Sequence, residues 1–228
     1  MRILRKGAVA AAAAVVGVAW WWRKNPSACP YNQRFWVQAP HPFIRRDRLI
    51  TTLEPKPGER LLEIGPGTGY YTLDVARALE ANGTLHIFDL QQDMLDHTMR
   101  RATEAGLSNI VPQQGNAEKL PYDDKTFDGA YLVTVLGEIP DRTAALREMN
   151  RVLKANGRLV VGELFGDPHM VTLKLLEGEA TEAGFSFEVR EGPTFGSSQD
   201  SGEGPDSAHR LPGLRCRLLS THVRTATL

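Results

Sequence analysis

A short stretch of the chain combines alternating glycines with an acid, and this combination is suited to holding a nucleotide-like ligand. Gly65, Gly67 and Gly69 occupy every second position, and Glu63 precedes them. Glycine accepts positive φ angles and lets a ligand approach the backbone more closely than a Cβ would allow. A carboxylate such as Glu63 attracts a cationic ligand, directly or through water, and repels a pyrophosphate. The turn therefore predicts a ligand site that favours positive charge.

The segments on either side of this turn predict a strand and a helix. Residues 60–64 form an apolar run bounded by Pro57-Gly58, which is typical of a buried parallel strand. Residues 70–79 carry apolar side chains at helical spacing, and Asn82-Gly83 is a stop signal. A strand, a glycine turn and a helix form the usual ligand-binding unit of an open α/β sheet.

The spacing of Glu63 and the three glycines resembles E-x-G-x-G-x-G, motif I of the class I S-adenosylmethionine-dependent methyltransferases. A dinucleotide-binding turn would need its third glycine at position 70, where this chain has Tyr70. S-adenosylmethionine has no phosphate and carries a sulfonium and an ammonium, which agrees with an acid beside the turn. The resemblance implies S-adenosylmethionine as the cofactor and a Rossmann-like α/β fold, doubly wound around a mostly parallel sheet.

Two further segments are placed to hold the same cofactor. Asp89 ends a strand over residues 84–88, about twenty residues past the turn, where an acid accepts hydrogen bonds from ribose hydroxyls. Capping of the next helix is the alternative role for this acid. Residues 115–122 resemble the family segment G-D-A-x-x-L-P-F, which implies contact with the adenine edge, although Asn116 stands where Asp is usual. A polar loop without such a contact is the alternative.

A fourth strand over residues 127–134 completes this site, because Thr134 lies at its carboxyl end, where open α/β sheets bind ligands. Strands over residues 158–162 and 185–189 follow. The predicted cofactor-binding residues are Glu63, Gly65, Gly67, Gly69, Asp89, Leu90, Asn116, Ala117 and Thr134.

No obligatory catalytic residue follows from this chemistry. Methyl transfer from a sulfonium is an in-line displacement, and catalysis can come largely from aligning the two reactants. A phenol or hydroxyl acceptor would be helped by a general base, for which Glu138 and His169 are the candidates in loops at the ligand end of the sheet. A solvated Glu138 and a capping or surface His169 are the alternatives.

The N-terminus predicts an apolar helix that anchors the chain to a membrane through residues 3–24. The uncharged run 7–22 reaches roughly 24 Å at ~1.5 Å per residue, a little short of a ~30 Å hydrocarbon core. Trp20, Trp21 and Trp22 precede Arg23-Lys24, as in an interfacial aromatic belt. A cleaved signal peptide and a surface-lying or soluble helix are alternatives. Because S-adenosylmethionine is a cytoplasmic metabolite, the catalytic domain is expected to face the cytoplasm.

The chain divides into three expected parts: an anchor helix and linker (1–28), a methyltransferase domain (29–196) and an atypical, partly disordered tail (197–228). Residues 197–207 are polar and rich in glycine, which is typical of disorder. The family would return here through a hairpin into a seventh, antiparallel strand, for which residues 214–220 are the candidate. A replaced C-terminus, which would leave a sheet edge open, is the alternative.

The amino-acid composition argues against a nucleic-acid partner, a disulfide framework and a metal site. Lys+Arg 27 balance Asp+Glu 27, which argues against a nucleic-acid substrate. Cys29 and Cys216 are too few for a disulfide framework or a cysteine metal site. No metal is expected.

The predicted function is methyl transfer by a membrane-associated enzyme to a small acceptor. Within the family the chain is most similar to the ubiquinone and menaquinone biosynthesis methyltransferases, through residues 115–122 and 150–159. That branch and the anchor together favour a lipid- or quinone-like acceptor. A non-catalytic binding module is the first alternative, because of Asn116 and the unusual tail. A nucleotide-dependent oxidoreductase is the second, and Tyr70 argues against it.

Overall fold

The computed structural model describes residues 17, 26–33, 45–164, 167, 169–189 and 214–220. Short 3-10 turns occur at Tyr31–Gln33 and Leu136–Glu138. In chain order the other elements are α1 (Arg46–Leu53), β1 (Arg60–Ile64), α2 (Thr72–Ala78), β2 (Thr84–Asp89), α3 (Gln92–Glu104), β3 (Ile110–Gln114), β4 (Phe127–Val133), α4 (Arg142–Val152), β5 (Leu153–Glu163), α5 (Leu173–Glu182), β6 (Ser186–Val189) and β7 (Arg215–Ser220).

The strands form one sheet in the order β3-β2-β1-β4-β5-β7-β6, and every neighbouring pair is parallel. This arrangement confirms the predicted Rossmann-like α/β fold. The chain leaves β1 towards β2 and β3 and later crosses to β4 on the other side of β1. The order therefore reverses between β1 and β4, and at such a switch point the loops after the two strands separate and open a crevice for a ligand.

Two hydrophobic cores cover the two faces of the sheet, because successive side chains of a strand point in opposite directions. Leu62 and Ile64 of β1 belong to the core that contains residues of α4 and α5, whereas Leu61 belongs to the core that contains residues of α1, α2 and α3. The sheet is thus covered on both sides, which explains the nearly continuous apolar runs of its central strands.

The seventh strand of the sheet runs in the opposite direction to the one expected from the sequence. Residues 214–220 do supply it, but β7 runs parallel to both of its neighbours, with Cys216 aligned with Leu159 of β5 and with Phe187 of β6. The predicted antiparallel direction was wrong. A hairpin return needs only a few residues, whereas residues 190–213 separate β6 from β7 and exceed the dozen or more that a parallel crossover requires.

The side chains of β7 point alternately to the two faces of the sheet, and this explains how the strand packs between β5 and β6. Cys216 and Leu218 are buried in the core with α4 and α5. Arg217 is 6% exposed, and its guanidinium donates a 2.9 Å hydrogen bond to the carbonyl oxygen of Thr52 in α1. The strand therefore joins both layers of the domain.

The predicted N-terminal apolar helix lies outside the described residues, apart from Gly17. In the part of the chain that the structure describes, no helix has both the length and the apolar character needed to cross a membrane. The expected division into three parts remains a prediction.

Candidate functional site

The glycine turn after β1 has the backbone that its spacing predicts. Gly65, Gly67 and Gly69 have φ angles of +68°, +55° and +76°, which side chains with a Cβ rarely adopt. The amide of Gly65 donates a 2.8 Å hydrogen bond to the carbonyl oxygen of Phe88. A Cβ on Gly65 would lie 2.5 Å from Cγ2 of Val135, so the turn also fits closely against the segment that follows β4.

Helix α3 supports this turn from the other side. The hydroxyl of Thr98 donates a 3.0 Å hydrogen bond to the carbonyl oxygen of Gly67, and Arg101 donates to the carbonyl oxygen of Thr68. A Cβ on Gly69 would lie 2.9 Å from Cγ2 of Thr98. Gly69 therefore lets α3 pack on the turn, while Gly65 and Gly67 border the cavity described next.

A cavity of about 410 Å³ opens at the carboxyl ends of β1, β2 and β4. This volume lies within the range of small-molecule and cofactor sites. Most of the predicted site residues line it, and they lie at or just after the ends of β1, β2, β3 and β4: Gly65, Gly67, Asp89, Leu90, Asn116, Ala117, Thr134 and Glu138. The lining does not include the other three predicted residues, Glu63, Gly69 and His169.

Asp89 is the best-defined polar group of the cavity. It is 9% exposed, and its Oδ1 accepts a 2.8 Å hydrogen bond from the amide of Gln91. Burial raises the pKa of Asp89 to about 6, while backbone amides, including those of Gln91 and Gly67, lower it. Helix α3 begins at Gln92, and the backbone amides that donate to Asp89 all precede it, so this carboxylate caps none of the first helical amides. The carboxylate remains available at the cavity wall.

Asn116, which departs from the usual Asp, forms a reciprocal pair with Glu118. Its Oδ1 accepts from the amide of Glu118 at 3.0 Å, and its Nδ2 donates to Oε2 of Glu118 at 3.0 Å. The other carboxylate oxygen of Glu118 accepts a 2.9 Å hydrogen bond from the amide of Asp141. An aspartate at position 116 would have no N–H to donate and would place its charge beside that of Glu118. The amide therefore suits its neighbours in this chain.

Glu63 lies beneath the turn rather than in the cavity wall. It is 2% exposed, and its Oε2 accepts a 2.6 Å hydrogen bond from the hydroxyl of Thr72, at the start of α2. Burial raises the pKa of Glu63 to about 7, while the hydrogen bond from Thr72 lowers it. Its side chain ties β1 to α2, and its contact with a cofactor stays a prediction.

Only one of the two candidate bases lies at the cavity. Glu138 lines it and accepts a 3.3 Å hydrogen bond from the amide of Cys29. Burial raises the pKa of Glu138 to about 7, and the charges of Asp167 and Asp89 add to this rise. A carboxyl group with such a pKa can accept a proton at neutral pH.

His169 occupies a supporting position next to that base. Its amide donates a 2.7 Å hydrogen bond to Oδ1 of Asp167. A Cβ on Gly137 would lie 1.7 Å from the carbonyl oxygen of His169, so this loop packs directly against the turn that carries Glu138.

Sequence reasoning missed part of the cavity wall. Pro26 to Cys29 line it, together with Gln91, Ile139 and Pro140. The sequence Pro-Ser-Ala-Cys carries no periodicity, and its place over the sheet depends on contacts with residues that are distant along the chain.

Comparisons with known proteins agree with this geometry. Residues 39–176 match the model of the ubiE/COQ5 methyltransferase family. A demethylmenaquinone methyltransferase of Bacillus subtilis is 33% identical over 115 residues, which cover 50% of this chain and 49% of the relative. The ubiquinone/menaquinone biosynthesis C-methyltransferase UbiE of Shewanella oneidensis is 34% identical over 138 residues, which cover 60% of this chain and 55% of the relative. The chain thus spans about half the length of these curated relatives.

Solved structures share the fold. A SAM-dependent methyltransferase from Aquifex aeolicus superimposes with a TM-score of 0.65 at 18% identity, covering 70% of this chain and 90% of that one. The [4+2]-cyclase SpnF superimposes with a TM-score of 0.56 at 29% identity, covering 61% and 55%. Because the family model matches more than half of the sequence, this chain belongs to the ubiE/COQ5 methyltransferase family, and S-adenosylmethionine is the cofactor that the membership implies.

Proposed function

We propose that the protein is an S-adenosylmethionine-dependent methyltransferase that acts on a small, quinone-like acceptor. The observation that carries the proposal is the convergence of the glycine turn, Asp89, the segment after β3 and Glu138 on one cavity. The acceptor class is supported by the relatives, which are named for demethylmenaquinone and for ubiquinone and menaquinone biosynthesis.

The residues around the cavity suit this cofactor. Bound S-adenosylmethionine supplies an activated methyl group. Asp89 would accept hydrogen bonds from the ribose hydroxyls, the glycine turn admits a close approach to the backbone, and Asn116 lies at the position implied for adenine. Among the described residues that line the cavity there is no lysine or arginine, whereas Asp89, Glu118 and Glu138 contribute carboxylates. This charge distribution favours a cationic ligand over a dinucleotide.

The rest of the cavity wall suits an apolar acceptor with a hydroxyl group. Pro26, Ala28, Ile139 and Pro140 supply apolar surface around the carboxyl group of Glu138. Glu138 would accept the proton of an acceptor hydroxyl. An aromatic ring that loses such a proton gains electron density at the neighbouring carbon, which is the atom that a C-methyltransferase needs to be nucleophilic.

A membrane location fits such an acceptor and is part of the proposal. Residues 3–24 would anchor the chain, and Pro26 to Cys29, which follow almost directly, line the cavity. The cavity would then be held close to the bilayer that dissolves a lipid-like acceptor, with the catalytic domain on the cytoplasmic side. Deletion of residues 1–24 is expected to release the protein from a membrane fraction while cofactor binding persists. Continued sedimentation of the shortened chain with membranes would contradict this location.

The activity is tested by titration and turnover. Calorimetric titration of S-adenosylmethionine and S-adenosylhomocysteine is expected to show saturable binding. The protein is then incubated with chemically reduced demethylmenaquinone and with S-adenosylmethionine that is radiolabelled in its methyl group. The label is expected to appear in the quinol. Folded protein that binds neither cofactor form would overturn the proposal. Binding of both forms without labelled product from this and related quinols would exclude the acceptor class.

A second candidate function is supported by the likeness to SpnF, which is named as a cyclase at 29% identity. The cavity would then bind the cofactor without donating its methyl group, and the protein would act as a binding module or catalyse another reaction. Production of S-adenosylhomocysteine with any acceptor excludes this candidate.

A further inference from the structure

A short segment before α1 covers part of the cavity. Residues 26–33, here called the N-terminal strap, run from Pro26, Ser27, Ala28 and Cys29 at the cavity wall into the turn Tyr31–Gln33. The strap belongs to no strand or long helix. Among the described residues, individual contacts with the residues beneath it hold the strap in position.

Gln91 makes two of these contacts with its side-chain amide. Nε2 donates a 2.9 Å hydrogen bond to the carbonyl oxygen of Cys29, and Oε1 accepts a 3.0 Å hydrogen bond from the amide of Tyr31. The side-chain amide thus pairs with the main chain of the strap at two positions, as donor to Cys29 and as acceptor from Tyr31. Because the carbonyl of Cys29 can only accept and the amide of Tyr31 can only donate, the positions of Nε2 and Oε1 in the Gln91 side chain are determined.

The backbone of Gln91 contacts the cavity on its other side. Its amide donates the 2.8 Å hydrogen bond to Oδ1 of Asp89. One residue thus joins the strap, through its side chain, to the acid at the end of β2, through its main chain. A shift of the strap would act on Gln91, whose amide is one of the backbone groups, with those of Gly67 and Leu90, that hold the Asp89 carboxylate.

Two longer contacts also join the strap to this part of the domain. The amide of Cys29 lies 3.3 Å from Oε2 of Glu138, and the hydroxyl of Tyr31 lies 3.3 Å from Nδ1 of His97 in α3. These contacts hold the two ends of the same short stretch. Gln91 binds between them, where the strap passes over the cavity.

We propose that Gln91 is a positioning residue that holds the N-terminal strap over the cavity and orients Asp89 beneath it. The ligand that the strap retains rests on the proposed function, whereas the attachment of the strap does not. Retention of ligand by the strap would act chiefly on the dissociation rate, because release requires the strap to move.

The first test measures the strap in the absence of any ligand. In the wild type, exchange at the amide of Tyr31 requires an opening that breaks its hydrogen bond to Gln91. Gln91→Ala lacks this acceptor, so exchange there is expected to be at least about tenfold faster than in the wild type. Gln92→Ala is the matched control, since Gln92 is exposed and its Nε2 donates to Asp96 within α3. Gln91→Glu keeps an acceptor for Tyr31 but loses the donor to Cys29, so its exchange rate is expected to be intermediate.

The second test measures retention of ligand. The dissociation rate of S-adenosylhomocysteine from the full chain is expected to rise about tenfold in Gln91→Ala and to stay at the wild-type value in Gln92→Ala. Exchange at Tyr31 that is equal in Gln91→Ala and Gln92→Ala would overturn the attachment. Faster exchange with an unchanged dissociation rate would overturn the positioning role. If the wild type binds no S-adenosylhomocysteine, the proposed function fails, and the exchange result still decides whether Gln91 holds the strap.

Discussion

Asp89 and Glu138 are the two acids of the cavity wall whose pKa values burial raises, and it raises them to different extents. Asp89 accepts backbone hydrogen bonds that partly offset its desolvation, so its pKa is raised only to about 6. Glu138 has one such bond and two nearby acidic charges, and its pKa is raised to about 7. At neutral pH Asp89 is ionised and can accept hydrogen bonds, while Glu138 is divided between its two forms and can accept a proton.

Replacement of Asp89 tests the first of these roles. Asp89→Ala is expected to weaken binding of S-adenosylmethionine at least tenfold, or about 1.4 kcal/mol, because two acceptors for the ribose hydroxyls are lost. Calorimetric titration measures the change. Asp93→Ala, at an exposed position in the first turn of α3, should leave the affinity unchanged. Equal affinities of the Asp89 variant and the wild type would show that Asp89 does not bind the ribose hydroxyls of the cofactor.

The same pKa values predict how cofactor binding depends on pH. Both acids have raised pKa values, so each is neutral below its pKa and gains its negative charge as pH rises through it. Affinity for S-adenosylmethionine should therefore increase between about pH 5 and 8, and Glu138→Gln should flatten the upper part of this rise. S-adenosylhomocysteine, which lacks the sulfonium charge, should show a smaller rise. Calorimetric titrations of both ligands between about pH 5 and 8 measure these affinities. Identical dependence of the two affinities on pH would contradict an attraction between the acids and the sulfonium charge.

At the scale of elements, the turn after β1 depends on the absence of a side chain at Gly65. Gly65→Ala must adopt a φ of +68° and also place its Cβ 2.5 Å from the stiff side chain of Val135. Gly58→Ala is the matched control, because Gly58 has a φ of +84° and a Cβ added there would meet no atom within 4 Å. We expect Gly58→Ala to cost roughly 1–2 kcal/mol of unfolding free energy, and Gly65→Ala to cost about 1–3 kcal/mol more.

Urea unfolding of the two variants measures these costs, and cofactor titration shows whether the turn still admits its ligand. Gly65→Ala should lose binding, while Gly58→Ala should keep it. Equal losses of stability in the two variants would mean that Val135 yields easily and that only the backbone angle matters.

The elements that sequence could predict are those with a local physical signal. Strands β1 and β2 lie within one residue of their expected bounds, because their apolar runs end at a glycine turn and at an acid. The glycine turn and Asp89 were recognisable for the same reason. The place of Pro26 to Cys29 was not, since these residues have no pattern of their own, and Cys29 is held by Gln91 and Glu138, far along the chain. Residues 153–157, expected before the fifth strand, extend β5 through pairing of Leu153 with Phe127.

At the scale of the whole molecule, β7 determines whether the sheet is continuous. It pairs with β5 on one side and β6 on the other, and it places Arg217 against α1. The direction of this strand depends on the path of the connection before it, which the alternation of Leu214, Cys216 and Leu218 does not reveal. The existence of the strand could therefore be predicted, but its orientation could not.

Truncation tests the importance of this strand. A chain that stops after Val189 lacks β7, leaves β6 without a partner among the described strands and exposes the edge of β5. We expect it to be insoluble or to unfold without a cooperative transition. A chain that stops after Ser220 keeps every described strand and should melt as the full chain does. Circular dichroism of the soluble fractions compares the two, and a cooperative, soluble shorter chain would contradict the role of β7.

The position of β7 also imposes an order on biosynthesis. The ribosome makes β5 and β6 before β7, yet β7 lies between them in the finished sheet. During translation β5 therefore has an open edge and β6 has no place to pair, and both must wait for a strand that pairs over a long sequence separation. Open edges and late, non-local pairing are the conditions that expose nascent chains to aggregation. Chaperone demand for this protein should be concentrated in the interval between synthesis of β5 and arrival of β7.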